Sequence, residues 1–61
     1  MRSRVEILED ARSIILNQLK KTEDLLANSV SLRKREQFEV DCEILRLIDE
    51  LILEELRKEL A

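Results

Sequence analysis

Neither glycine nor proline occurs anywhere in this chain of 61 residues. Glycine frees the backbone and proline removes a helix donor, so their joint absence takes away the two strongest helix punctuators. Histidine, tyrosine and tryptophan are also missing, and Cys42 and Phe38 are the sole cysteine and aromatic residue. A lone cysteine rules out an intrachain disulfide. Without histidine, it cannot complete a structural zinc shell. Long apolar runs are lacking too. Ile14-Ile15-Leu16 and Leu51-Ile52-Leu53 fall far short of the ~20 residues a bilayer span needs. The basic start at Arg2 and Arg4 meets Glu6, Glu9 and Asp10 at once, which does not read as a targeting segment. The expected location is cytoplasmic, with no membrane partner.

What remains is 44% hydrophobic and 41% charged residues, with a formal charge of -3. The negative balance argues mildly against a general nucleic-acid binder. Leu, Ile, Glu, Lys and Arg dominate, and these favour helix. A chain this short usually needs a staple or a partner to be stable. With staples removed, oligomerisation is the expected source.

Two helical arms are predicted, over about residues 3–27 and 32–60, joined by a turn at about 28–31. Ser3 followed by Glu6 fits a capping box, and Glu6, Glu9 and Asp10 suit the positive end of the first helix. Val5, Leu8, Ala11, Ile15, Leu19, Thr22 and Leu26 recur at three- and four-residue steps and define one apolar face. Ile7, Ile14 and Leu25 widen it on one side, Leu16 on the other. Asn28, Ser29 and Ser31 prefer hydrogen bonds outside helices. Asn28 is expected to end the first helix in a left-handed conformation, with Ser29 or Ser31 capping the second. The alternative, one unbroken helix of ~90 Å, conflicts with the lapse of the apolar repeat from Ala27 to Gln37.

The second arm is the more apolar. Phe38, Cys42, Leu45, Ile52, Leu53, Leu56 and Leu60 form one stripe, and Val40, Ile44, Leu47, Ile48 and Leu51 form a second beside it. Together they cover roughly 240° of the helix circumference. A sister helix hides one stripe. The other, at about 25 cal/mol per Å² of apolar area, calls for further cover. The expected fold is therefore all-α: an antiparallel helical hairpin that dimerises into a four-helix bundle. Val40, Ile44, Leu47, Ile48 and Leu51, with Ile7, Ile14 and Leu25, are the candidate interface.

Other candidate sites are weaker. Arg12 and Asp49 interrupt the two apolar faces at similar depth and suggest a polar core pair that fixes register. Arg33-Lys34-Arg35 crowd the start of the second helix, where the dipole disfavours cations, and the hairpin brings Lys20 and Lys21 toward the same end. These five are candidate nucleic-acid contacts. The simpler reading pairs them with Glu23, Asp24, Glu36 or Glu39. Asn17, Gln18, Lys20, Lys21 and Asp24 give the first helix a polar face, and Gln18 leans toward a polar layer in the core. Carboxylates pair at helical spacing, as at Glu39/Glu43 and Glu50/Glu54, but lie beside Lys or Arg and read as a solvated face. No nucleophile–base pair or phosphate loop is present, and Cys42 sits at a core position.

The length, the two-arm layout and a cysteine partway into the second helix resemble the small helical-hairpin dimers of the Rop family. The resemblance includes no alignable motif. That family's RNA-contacting aromatic on the first helix has no counterpart, since Phe38 is on the second, so no functional residue is carried over. The leading expectation is a non-enzymatic oligomerisation and protein-interaction module whose partner is itself, or a protein in a larger complex. The alternatives are a small Rop-like nucleic-acid-binding regulator using the basic turn end and, behind it, a carboxylate-metal enzyme. No cofactor is expected.

Overall fold

A computed structural model describes residues 2–61 as two helices, α1 (Arg4–Asn28) and α2 (Leu32–Leu60), packed against each other as an antiparallel hairpin. The single-helix alternative is thereby set aside. Helix α2, at about 1.5 Å per residue, accounts for the 44 Å length of the molecule.

The start of α1 follows its sequence. Ser3 is the N-cap, and its Oγ accepts from the Glu6 amide at 3.2 Å. Only half of the expected capping box forms. The Glu6 carboxylate turns outward to Arg2 Nε at 3.8 Å instead of returning to the cap. Arg2 also bonds Asp10, tying the first two turns together.

The turn departs from expectation. None of the described residues has positive φ, and Asn28 is the last residue of α1 rather than a left-handed stop. Its side-chain amide donates to the Asp24 carbonyl one turn back at 2.9 Å. The chain then leaves through Ser29 in extended geometry, with its amide bonded to the Leu26 carbonyl. Ser31 occupies the N-cap position of α2 without a side-chain cap bond, while the Ser29 hydroxyl donates to the Ser31 carbonyl at 3.4 Å. The entry to α2 is thus poorly capped, and no acidic residue sits in its first turn.

Along the seam, α1 contributes Val5, Leu8, Ala11, Ile15, Leu19, Thr22 and Leu26, each wholly or partly buried. Across from them lie Phe38, Cys42, Leu45, Ile52, Leu53 and Leu56 of α2. Leu60, expected in this stripe, is exposed at the open end, where α1 no longer covers it. Ile48, assigned to the neighbouring stripe, is half-buried at the edge of the seam. Thr22 replaces an aliphatic residue at little cost, because its hydroxyl donates to the Gln18 carbonyl at 2.9 Å. Gln18 itself is exposed and does not form a core layer.

The molecule is one helix thick, measuring 18 Å by 13 Å in cross-section. Its radius of gyration of 14.2 Å exceeds the roughly 10.5 Å of a compact domain of this length. Among the described residues, only Cys42, Leu56 and Thr22 are buried below a tenth of their surface.

Replacing Ser3 by Ala should remove the cap bond and cost about 1 kcal/mol, read as a lower urea midpoint at fixed protein concentration. An unchanged midpoint would mean that the first turn holds without Ser3.

Candidate functional site: an uncovered aliphatic face

In an α-helix each residue advances 100°, which places Ile7, Ile14, Gln18 and Leu25 within about 40° of one another on α1. Val40, Ile44, Leu47, Ile48 and Leu51 span about 100° on α2. The two sets fall on the same side of the hairpin. Gln18 and Ile44 line one shallow groove with Thr22, Asp41 and Leu45, and Leu25 lines another with Lys34 and Phe38 near the turn. The reverse side is different in kind. There Glu9, Arg12 and Ser13 line a groove with Leu16, Leu56 and Leu60.

Ile7, Ile14, Leu25, Val40, Ile44, Leu47 and Leu51 are each about half exposed or more, with Ile14 the most open at 67%. That amounts to on the order of 600 Å² of aliphatic surface in one patch, at the upper end of what monomers present. Water faces this patch because α1 can cover only the stripe of α2 that it touches. Val30 and Leu32 are also exposed at the turn tip, where Val30 borders the groove that Leu25 lines.

Ion pairs border the seam. Arg4 reaches Glu59 at 2.9 Å and Glu55 at 3.3 Å near the open end. Glu23 reaches across to Arg46 at 3.7 Å nearer the turn. Between them Arg12 Nε donates to Asp49 Oδ1 at 3.0 Å, with side chains 39% and 15% exposed. The polar pair thus lies on the side away from the uncovered face. Glu55 has its pKa held below the ordinary carboxylate value, first by the hydrogen bond and charge of Lys58, then by Arg4. A depressed folded-state pKa stabilises above the unfolded value of 4.5, and this is lost as pH falls through the folded value. Glu55 is surface-exposed, so solvent screens most of the effect.

The five cations of the turn end behave differently from their expected pairing. Lys20, Lys21, Arg33, Lys34 and Arg35 form no ion pair among the described residues. Glu23 engages Arg46 instead, and Asp24, Glu36 and Glu39 engage no cation. Their locations differ as well. Arg33, Lys34 and Arg35 lie in the first turns of α2, whereas Lys20 and Lys21 are about two helical turns back along α1.

No group of three or more Cys, Asp or Glu is gathered as a metal cluster among the described residues. Cys42, at 2% exposure, is enclosed in the seam. Among the described residues, no helix is long and apolar enough to cross a membrane. Comparison with protein-family models, curated proteins and solved structures finds no match to the chain.

Arg12→Leu should cost about 2 kcal/mol, because Asp49 then stays largely covered without its partner. Arg12→Leu with Asp49→Leu should recover most of that loss. Losses that simply add in a urea-melt double-mutant cycle would refute the coupling.

Proposed function

We propose that this chain is a non-enzymatic helical oligomerisation and protein-interaction module, whose uncovered face meets a second copy to form a four-helix bundle. The observation that carries this reading is the aliphatic patch of Ile7, Ile14, Leu25, Val40, Ile44, Leu47 and Leu51 on a hairpin that buries so little of itself. Two such patches brought together remove about 1,200 Å² from water, the lower edge of stable interfaces, before their flanks contribute. The second layer also converts a structure one helix thick into one with an interior. A solution of this kind needs neither a cofactor nor a reactive group.

Light scattering after size exclusion at tens of micromolar should give twice the chain mass. Ile44→Glu with Leu51→Glu should raise the dissociation constant at least about 100-fold, roughly 2.7 kcal/mol, and lower helicity at the same concentration. A wild-type chain that is monomeric and fully helical would overturn the proposal.

The unpaired turn-end cations favour a second reading, a small Rop-like nucleic-acid-binding regulator. Lys20, Lys21, Arg33, Lys34 and Arg35 have no internal carboxylate to displace before meeting a phosphate. Binding of this kind weakens steeply between 50 and 200 mM salt, by about 0.7–0.9 log units per phosphate contact and log unit of salt. Arg33→Glu with Lys34→Glu and Arg35→Glu should abolish binding to single- and double-stranded probes. An undiminished affinity in that variant would eliminate the reading.

A further inference from the structure

We infer that the two hairpins pair with their turns at opposite ends, α1 against α1 and α2 against α2, about a two-fold axis crossing the middle of the uncovered face. The inference rests on the homodimer proposed above and assigns its geometry.

A two-fold axis lying across the helices requires the face to match itself when its length is reversed. On α1, Ile7 and Leu25 stand at equal distances either side of residue 16, with Ile14 and Gln18 two positions from that centre. Reversal therefore sets Ile7 against Leu25 of the second copy. It also sets Ile14 beside Gln18 of the second copy, with the two Ile14 side chains close to the axis. On α2, Val40 and Leu51 are symmetric about the midpoint between Leu45 and Arg46, and so are Ile44 and Leu47. Reversal sets Val40 against Leu51 of the second copy, and Ile44 against its Leu47.

These two centres need not have coincided, yet they do. The Arg12–Asp49 bond fixes the level of α1 against α2, and stepping along both helices from it brings residue 16 opposite residue 45. One axis therefore serves both helices.

The competing arrangement keeps both turns at one end and sets α1 against α2 of the second copy at matched depth. Ile7 then falls level with Glu54 and Leu25 with Glu36, while Ile14 alone meets an aliphatic residue, Leu47. For Ile7 and Leu25 the nearest aliphatics of the uncovered face, Leu51 and Val40, are three to four residues away, roughly 5–6 Å along the helix. That arrangement also stacks two open ends where, among the described residues, Glu50 and Glu54 engage no cation, Asp49, Glu55 and Glu59 being held by Arg12, Arg4 and Lys58. With opposite ends, each acidic end lies beside the unpaired Arg33, Lys34 and Arg35 of the other copy. Apolar register and charge favour the same choice.

A single spin label tests this. Val30 is fully exposed at the turn, so Val30→Cys in a Cys42→Ala background places a label without touching packing at the tip. The labels should lie about the 44 Å hairpin length apart in the dimer, measured by pulsed dipolar spectroscopy. A distance within about 20 Å, two helix diameters, overturns the opposite-end arrangement. Light scattering on the same sample separates this from failure of the dimer itself, since a monomer gives half the mass and no dipolar signal. If Cys42→Ala unfolds the chain, the native cysteine is retained, because its enclosure at 2% exposure keeps it from the label. Ile14→Cys supplies a second readout. Mild oxidation should cross-link it across the axis in the dimer, while Val30→Cys under the same conditions should not cross-link.

Discussion

A helix can be covered by one neighbour over only part of its circumference, and α2 carries aliphatic residues around far more than that part. This mismatch governs the rest of the molecule. Helix α1 meets the stripe running from Phe38 to Leu56, and the resulting seam contains the most buried side chains of α2, Cys42 and Leu56. The stripe from Val40 to Leu51, Ile48 apart, is left about half open to water. Lengthening the helices would not help, because the shortfall lies around the axis and not along it. Only another layer of helix can correct it, and the 13 Å thickness of the hairpin shows that this layer is not supplied from within.

The polar groups near the seam determine how the arms align more than how strongly they hold. Arg4 with Glu55 and Glu59, Arg12 with Asp49, and Glu23 with Arg46 join the helices at successive levels. Exposed pairs of this sort contribute little free energy singly. Sliding one helix by a turn, however, would break all of them and leave the covered Asp49 unpartnered. Their effect is selection among registers that apolar packing alone would find similar. That fixed register is also what gives the uncovered face a defined pattern instead of a sliding one.

Much of this arrangement was legible in the sequence. Because the helical period is rigid, the spacing of Val5, Leu8, Ala11, Ile15, Leu19, Thr22 and Leu26 named the covered face of α1, and all seven are at least half-buried. Period alone does not reveal where a face ends, which is why Ile48 lies nearer the seam, and Leu60 farther from cover, than their stripes suggested. The end of α1 was misread for a different reason. Asn28 can stop a helix in left-handed geometry, but its side-chain amide bonds the Asp24 carbonyl and the residue stays helical. The turn-end cations were expected, on the simpler reading, to pair with Glu23, Asp24, Glu36 or Glu39, acids that follow them in the chain. A base placed before its acid is the weaker orientation on a helix, and Glu23 was drawn across the seam to Arg46. Sequence spacing ranks local partners well and cannot see a partner on the facing helix.

If the second layer is another copy, folding and association are one equilibrium. The seam alone buries few side chains, whereas ordering each residue costs roughly 1–2 kcal/mol of backbone entropy. The aliphatic face then contributes to the stability of the fold as well as to the affinity of the dimer. A residue such as Ile44 cannot be classed as either interface or core, because the interface is the missing half of the core. Stability should accordingly rise with protein concentration by mass action, in a way a self-sufficient hairpin would not show. The absence of glycine and proline fits this economy. Helices that wait for a partner gain from strong intrinsic propensity, because local structure is then largely formed before the second layer arrives.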